Sequence, residues 1–142
     1  MFSRTTATVA LLAAVAAFSA ACSDDRSGTR DRAPLTQPAP ERFASGACRD
    51  AADPILALGR FTYTHEGAKT LGKAEYAELT AQGEKLIPVR ERAEPAVADK
   101  ISAVLTSIGY IRVRPGKSFD PALLRDLETA RTQLQNACVT GT

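Results

Sequence analysis

Val97, Ile101, Val104, Leu105 and Ile108 stand at spacings i, i+4, i+7, i+8 and i+11. A stripe at that period commits the stretch to a helix with one buried face. Such a face needs partners, and three further segments supply them. In the first, Asp53-Pro54 reads as a capping aspartate followed by proline at the first helical position. Ile55, Leu58, Phe61 and His65 follow at spacings of three and four, and Gly67 fits a stop. A start nearer Ser45 is the alternative, and it would place Pro54 inside the helix as a kink.

The second segment begins near Thr70, with Gly72, Tyr76, Leu79, Gly83, Leu86 and Ile87 on one face and Pro88 as its end. The two glycines suggest close helix approach. The third opens at Glu94-Pro95, and Gly109 loosens its end. The fourth opens at Asp120-Pro121 and carries Leu123, Leu127, Ala130, Leu134 and Ala137 in a nearly heptad stripe. Strand alternation is confined to Tyr110–Arg114. Residues 43–142 suffice for one small domain. The fold expected is all-α: an antiparallel up-down four-helix bundle with short connections.

Upstream of the bundle the composition changes twice. Residues 1–21 give a basic start at Arg4 and an uncharged Ala-, Val- and Leu-rich run. This is the layout of a secretory signal, too short and alanine-rich for a spanning helix. Residues 22–42 mix prolines with both charge signs, and Leu35 is their one large aliphatic residue. Such a segment cannot bury enough apolar surface to offset its ordering entropy, so a disordered tether is expected there. A coil of that length spans roughly 25 Å.

Ser19-Ala20-Ala21-Cys22 resembles the lipobox of bacterial lipoproteins of the signal peptidase II type. The match lies at Ala20, Ala21 and Cys22, while Ser19 stands where that family usually has an aliphatic residue. The resemblance implies cleavage before Cys22 and a diacylglyceryl group on its sulfur, with palmitate among the anchoring acyl chains. It implies attachment at the extracytoplasmic face of the cell membrane. Two acyl chains make release slow, at about 0.8 kcal/mol per buried methylene. Ordinary secretion is the alternative, since Ser19-Ala20-Ala21 also suits general signal peptidase. The body resembles small helical lipoproteins of high-GC Gram-positive bacteria through Cys48, Asp120-Pro121 and Asn136-Ala137-Cys138. That likeness carries no catalytic residues.

Three cysteines are present: Cys22, Cys48 and Cys138. Lipidation of Cys22 removes one from the thiol pool and leaves a pair. Cys48 lies near the start of the first helix and Cys138 at the end of the fourth. In an up-down bundle these points share one end, so a Cys48–Cys138 disulfide is expected, as suits an oxidising compartment. A metal or redox pair needs closer spacing or more ligands.

Chemistry beyond this is thin. His65 is the only histidine and falls in the last turn of the first helix, where it suits the negative helix end. Tyr63 nearby makes a haem-type site imaginable, but a second ligand is missing from the pattern. Pro115-Gly116-Lys117-Ser118 ends like a phosphate loop, yet Ile111 stands where its first glycine belongs. Arg112, Arg114 and Lys117 cluster with Tyr110. Solvated cations at a helix end explain that cluster more simply than a lipid or polymer contact. Glu84, Glu91 and Glu94 alternate with Lys85, Arg90 and Arg92, as on a solvated surface. The chain carries 18 basic and 16 acidic residues, net +2, which argues against nucleic acid as a partner.

The expectation is therefore a membrane-anchored, non-enzymatic binding or interaction module, with no catalytic or metal-binding residues and no cofactor. Its partner would be an envelope protein or a small apolar ligand held between helices; an apolar cavity beside Gly72 and Gly83 would favour the ligand, and a solid core with an exposed apolar patch a protein. The alternatives are an envelope structural or stress protein, and a secreted helical protein that binds a small apolar, haem-like ligand.

Overall fold

The computed structural model describes residues 32–113 and 119–140. Within Pro34–Thr142 a short 3-10 turn, Pro40–Arg42, precedes four helices: α1 (Ala47–Thr64), α2 (Lys73–Arg92), α3 (Pro95–Arg112) and α4 (Ala122–Cys138). The expected leader (residues 1–21), Cys22 and the expected tether up to residue 31 lie outside the described residues, as do Arg114 and the Pro115–Ser118 segment.

Each helix packs on the next, and α4 packs back on α1, so the four close into a ring. Cross-helix pairs fix the directions. Arg92 at the end of α2 meets Asp50 at the start of α1, at 2.8 Å. Lys100 on the early part of α3 reaches Gln133 on the late part of α4. Thr62 near the end of α1 donates to Glu128 in the first half of α4. Neighbouring helices are thus antiparallel, and the expected up-down bundle is the fold. Ile55, Leu58, Leu79, Leu86, Ile101, Val104, Leu127 and Leu134 are among the residues that fill its axis. At the end away from the disulfide, buried Phe119 closes the core, and its amide donates to Lys69 O at 3.1 Å.

Cys48 and Cys138 are bonded, with Cα atoms 5.1 Å apart, across a sequence separation of 90. The expected bridge between the outer helices is present at their shared end.

Helix boundaries settle one open alternative and differ from the sequence reading in three further places. First, of the two starts left open for the first helix the earlier one holds: α1 starts at Ala47, so Asp53-Pro54 is interior and Pro54 is buried. Proline there removes one helical hydrogen bond at a cost of about 3 kcal/mol. Cys48, Ala51 and Ala52 lie on the buried face with Ile55 and Leu58, so core burial and the disulfide hold the extra turns. Second, α2 runs through Pro88 to Arg92. Val89 is buried beyond the proline, and the Arg92–Asp50 pair secures the last turn. The α2 stripe is consequently Leu79, Gly83, Leu86 and Val89, and Ile87 is 42% exposed. Third, Tyr110–Arg112, expected as a possible strand, are the last turn of α3. Fourth, α4 buries Leu124 and Cys138 and leaves Ala137 exposed. Asp120 does act at its start, where Oδ1 accepts from the Ala122 amide at 2.9 Å.

The tether boundary expected at residue 42 also moves. Gln37 Nε2 donates to Leu56 O at 2.9 Å, and Phe43 pairs with Val139 in an antiparallel bridge. The last part of the expected tether is seated on the bundle. Apolar Phe43 pulls it there, being 1% exposed.

Candidate functional site

Two glycines thin the walls where α2 meets α3. A Cβ built on Gly83 would sit 3.6 Å from Ile108 Cδ1 and 3.7 Å from Leu105 Cδ2, so Ile108 and Leu105 already fill the space beneath. Over Gly109 there is open space. A groove runs between the two helices as a result. Its wider part, about 580 Å³, lies over Leu71, Tyr76, Thr80 and Arg112. Its narrower part, about 290 Å³, continues over Gly83, Ile87, Leu105 and Ile108. Thr80, Glu84 and Arg112 line both parts and make them one surface.

The floor is apolar and the rim is charged. Lys73, Arg90 and Arg112 stand on the rim against Glu84. Thr80 turns its hydroxyl inward to Tyr76 O at 2.8 Å, so it presents its methyl group more than a donor. Such a surface offers apolar contact with a net positive border.

Gly72 and Gly83, beside which an apolar cavity would favour a small ligand, have different surroundings. Gly72 is the exposed residue before α2, and Glu75 turns back toward it. At Gly83 the helices do approach closely, but the space is an open groove outside a filled core.

His65 ends α1, with its ring 4.5 Å from that of Phe61. Its backbone amide bonds Phe61 O at 3.0 Å. Tyr63, two residues earlier, is half-buried. Arg112 and Tyr110 fall on the last turn of α3, with Tyr110 61% exposed. Among the described residues no cluster of three or more His, Cys, Asp or Glu side chains could hold a metal ion. No described helix is long and apolar enough to cross a membrane.

The sequence reading missed a polar seam between α1 and α4. Arg131 is 5% exposed. Its Nε donates to Glu128 Oε2 at 2.9 Å, and Nη1 donates to Gln135 Oε1 at 2.6 Å. Its Nη2 also pairs with Glu128 Oε1. The Thr62 and Thr132 hydroxyls also donate to the Glu128 carboxylate. Burial alone would raise the Glu128 pKa. The Arg131 hydrogen bond, the Thr62 hydroxyl and the Arg131 charge outweigh it and hold the carboxyl below its ordinary value. The signal was present in the sequence, because Leu127, Arg131, Leu134 and Cys138 stand at i, i+4, i+7 and i+11.

Compared with family models, curated proteins and solved structures, the chain finds no match in any of the three. Its fold and surface define a disulfide-closed, antiparallel four-helix bundle with a shallow lateral groove. The groove between α2 and α3 is the candidate surface for contact with another molecule.

Proposed function

We propose that this protein is a membrane-anchored, extracytoplasmic lipoprotein whose bundle serves as a non-enzymatic interaction module. The observation that carries the reading is the pairing of Cys48 with Cys138. It leaves Cys22 as the odd cysteine, at the one junction where small residues precede a cysteine after an apolar run. Lipidation explains both the parity and the position. Plain secretion would leave a free thiol beside the tether.

The α2/α3 groove is the binding surface in this reading, and an extracytoplasmic protein segment is its partner. An open, half-exposed apolar floor beside a filled core suits a protein segment better than an enclosed apolar ligand. The cationic rim of Lys73, Arg90 and Arg112 suits a segment with acidic residues next to apolar ones.

Membrane fractionation tests the anchor. Cys22→Ala should move the protein out of the membrane fraction or block its processing, and unchanged membrane retention would refute it. A photo-crosslinker at position 87 tests the groove in intact cells. It should capture a protein that the same probe at exposed Asp126, on α4, does not capture. Equal capture at both positions, or none at 87, would remove the groove from the reading.

A further inference from the structure

Residues 37–44 run over α1 and end beside the disulfide. Gln37 sits on Gly59, where a side-chain carbon would collide with its amide nitrogen. The Ala44 amide donates to Cys138 O at 2.8 Å, and the Thr140 amide donates to Arg42 O at 2.9 Å. From the other side Arg49, the residue after Cys48, donates to Phe43 O at 2.8 Å and to Glu41 O at 2.9 Å. The segment is thus clamped by the neighbours of both cysteines. Cys48 is 7% exposed and Cys138 1% exposed.

We propose that residues 37–44 form a strap that gates this disulfide. A dithiol reductant reaches the sulfurs only when the strap lifts, and reduction in turn loosens the strap. Exchange requires a thiolate to meet a sulfur directly, and buried sulfurs deny that approach. In the reaction one thiolate of the dithiol attacks a cystine sulfur. The Cys48–Cys138 bond breaks, a mixed disulfide forms, and the departing cysteine takes a proton. The second thiol of the reductant then displaces the other cysteine and closes its own disulfide. Two electrons and two protons pass to Cys48 and Cys138.

The strap is the element suited to open first. It is held by isolated hydrogen bonds and one buried ring, whereas the helices are held by the whole core. Coupling between two equilibria is reciprocal, so what the bond does for the strap, the strap does for the bond. Release would add roughly 25 Å of chain before the first helix. The inference rests on the strap and disulfide alone, and stands or falls independently of Cys22 and of the groove.

The test uses the full chain, with dithiothreitol as reductant, timed alkylation, and mass readout. Gln37→Ala combined with Arg49→Ala should speed reduction about tenfold while helicity is kept. Rates within about twofold of the parent, in a variant whose Ala44 amide exchanges faster, would overturn the gate. Should that variant fail to fold, the unaltered chain decides. Reduction should then share the denaturant dependence of Ala44 exchange. If it instead follows exchange of Ile101, global unfolding exposes the bond and the gate is refuted. In the reduced chain, Ala44 and Thr140 exchange should accelerate more than Ile101 exchange. Equal acceleration would overturn the reciprocal half.

Discussion

Arg131 and Glu128 share the α1/α4 seam as a side-on pair, with Arg131 Nε donating to Glu128 Oε2 at 2.9 Å while Arg131 is almost fully buried. Removing the arginine leaves Glu128 and Gln135 short of a donor. Arg131→Ala should therefore lower unfolding free energy by about 1–3 kcal/mol in urea titrations. Arg131→Met, which keeps the volume, should lose less. Equal stability of Arg131→Ala and the parent would show that the seam is not structural.

The same pair fixes a pH dependence. The folded Glu128 pKa lies below its ordinary value of 4.5. Its contribution is therefore fully present above that value and is lost as pH falls through the folded pKa. The stability gap between the parent and Glu128→Gln should narrow on acidification from pH 6 and be widest near neutrality. A gap that widened in acid would reverse the assigned direction.

Core and surface isoleucines should behave oppositely. Ile101 is fully buried, so Ile101→Ala should cost roughly 2–4 kcal/mol. Ile87 is 42% exposed on the groove, and Ile87→Ala should stay within about 0.5 kcal/mol. Thermal melts of the two variants would separate these cases.

Two interior glycines should also part company. At Gly83 a Cβ finds ordinary contact distances, so Gly83→Ala should stabilise by about 0.5–1 kcal/mol through helix propensity. At Gly59 it meets Gln37 and Arg131, so the same propensity gain should be offset by the lost Gln37–Leu56 bond. Gly59→Ala should leave global stability within about 1 kcal/mol yet speed amide exchange along residues 37–44. Slower exchange there would mean that Gln37 is not the clamp.

The disulfide can be removed as a unit. Cys48→Ser with Cys138→Ser should leave a helical domain weakened by roughly 4–5 kcal/mol, as expected for a closed loop of sequence separation 90. Circular dichroism that showed loss of helix at room temperature would mean that the four helices cannot hold the bundle unaided.

The helix count, the up-down order and the cystine were legible because each rests on long-range consistency. The stripe through Ile101, Val104 and Ile108 is buried as expected. Boundaries were less legible because prolines act locally and burial acts globally. Pro54 and Pro88 read as a start and a stop, but Ala51, Ala52 and Val89 gain enough from the core to carry the helix past them. Arg131 was overlooked because a charged residue in a stripe reads as surface until its partners are known, and Glu128, Thr62 and Gln135 come together only in three dimensions. The groove was half legible. Gly83 marked the close approach of α2 and α3, but a sequence does not tell a filled gap from an open one. The strap was hidden by composition, since Pro-rich residues 34–42 look like linker and are held by one glutamine, one buried phenylalanine and the Arg49 guanidinium.

The intact mass of the mature protein, extracted from membranes in detergent and then digested under non-reducing conditions, tests the central proposal most directly. The expected species begins at Cys22, carries a diacylglyceryl thioether there, and yields one cross-linked peptide pair containing Cys48 and Cys138. An unmodified chain that begins at Cys22 or Ser23, or a free thiol at Cys22, would contradict the anchored module.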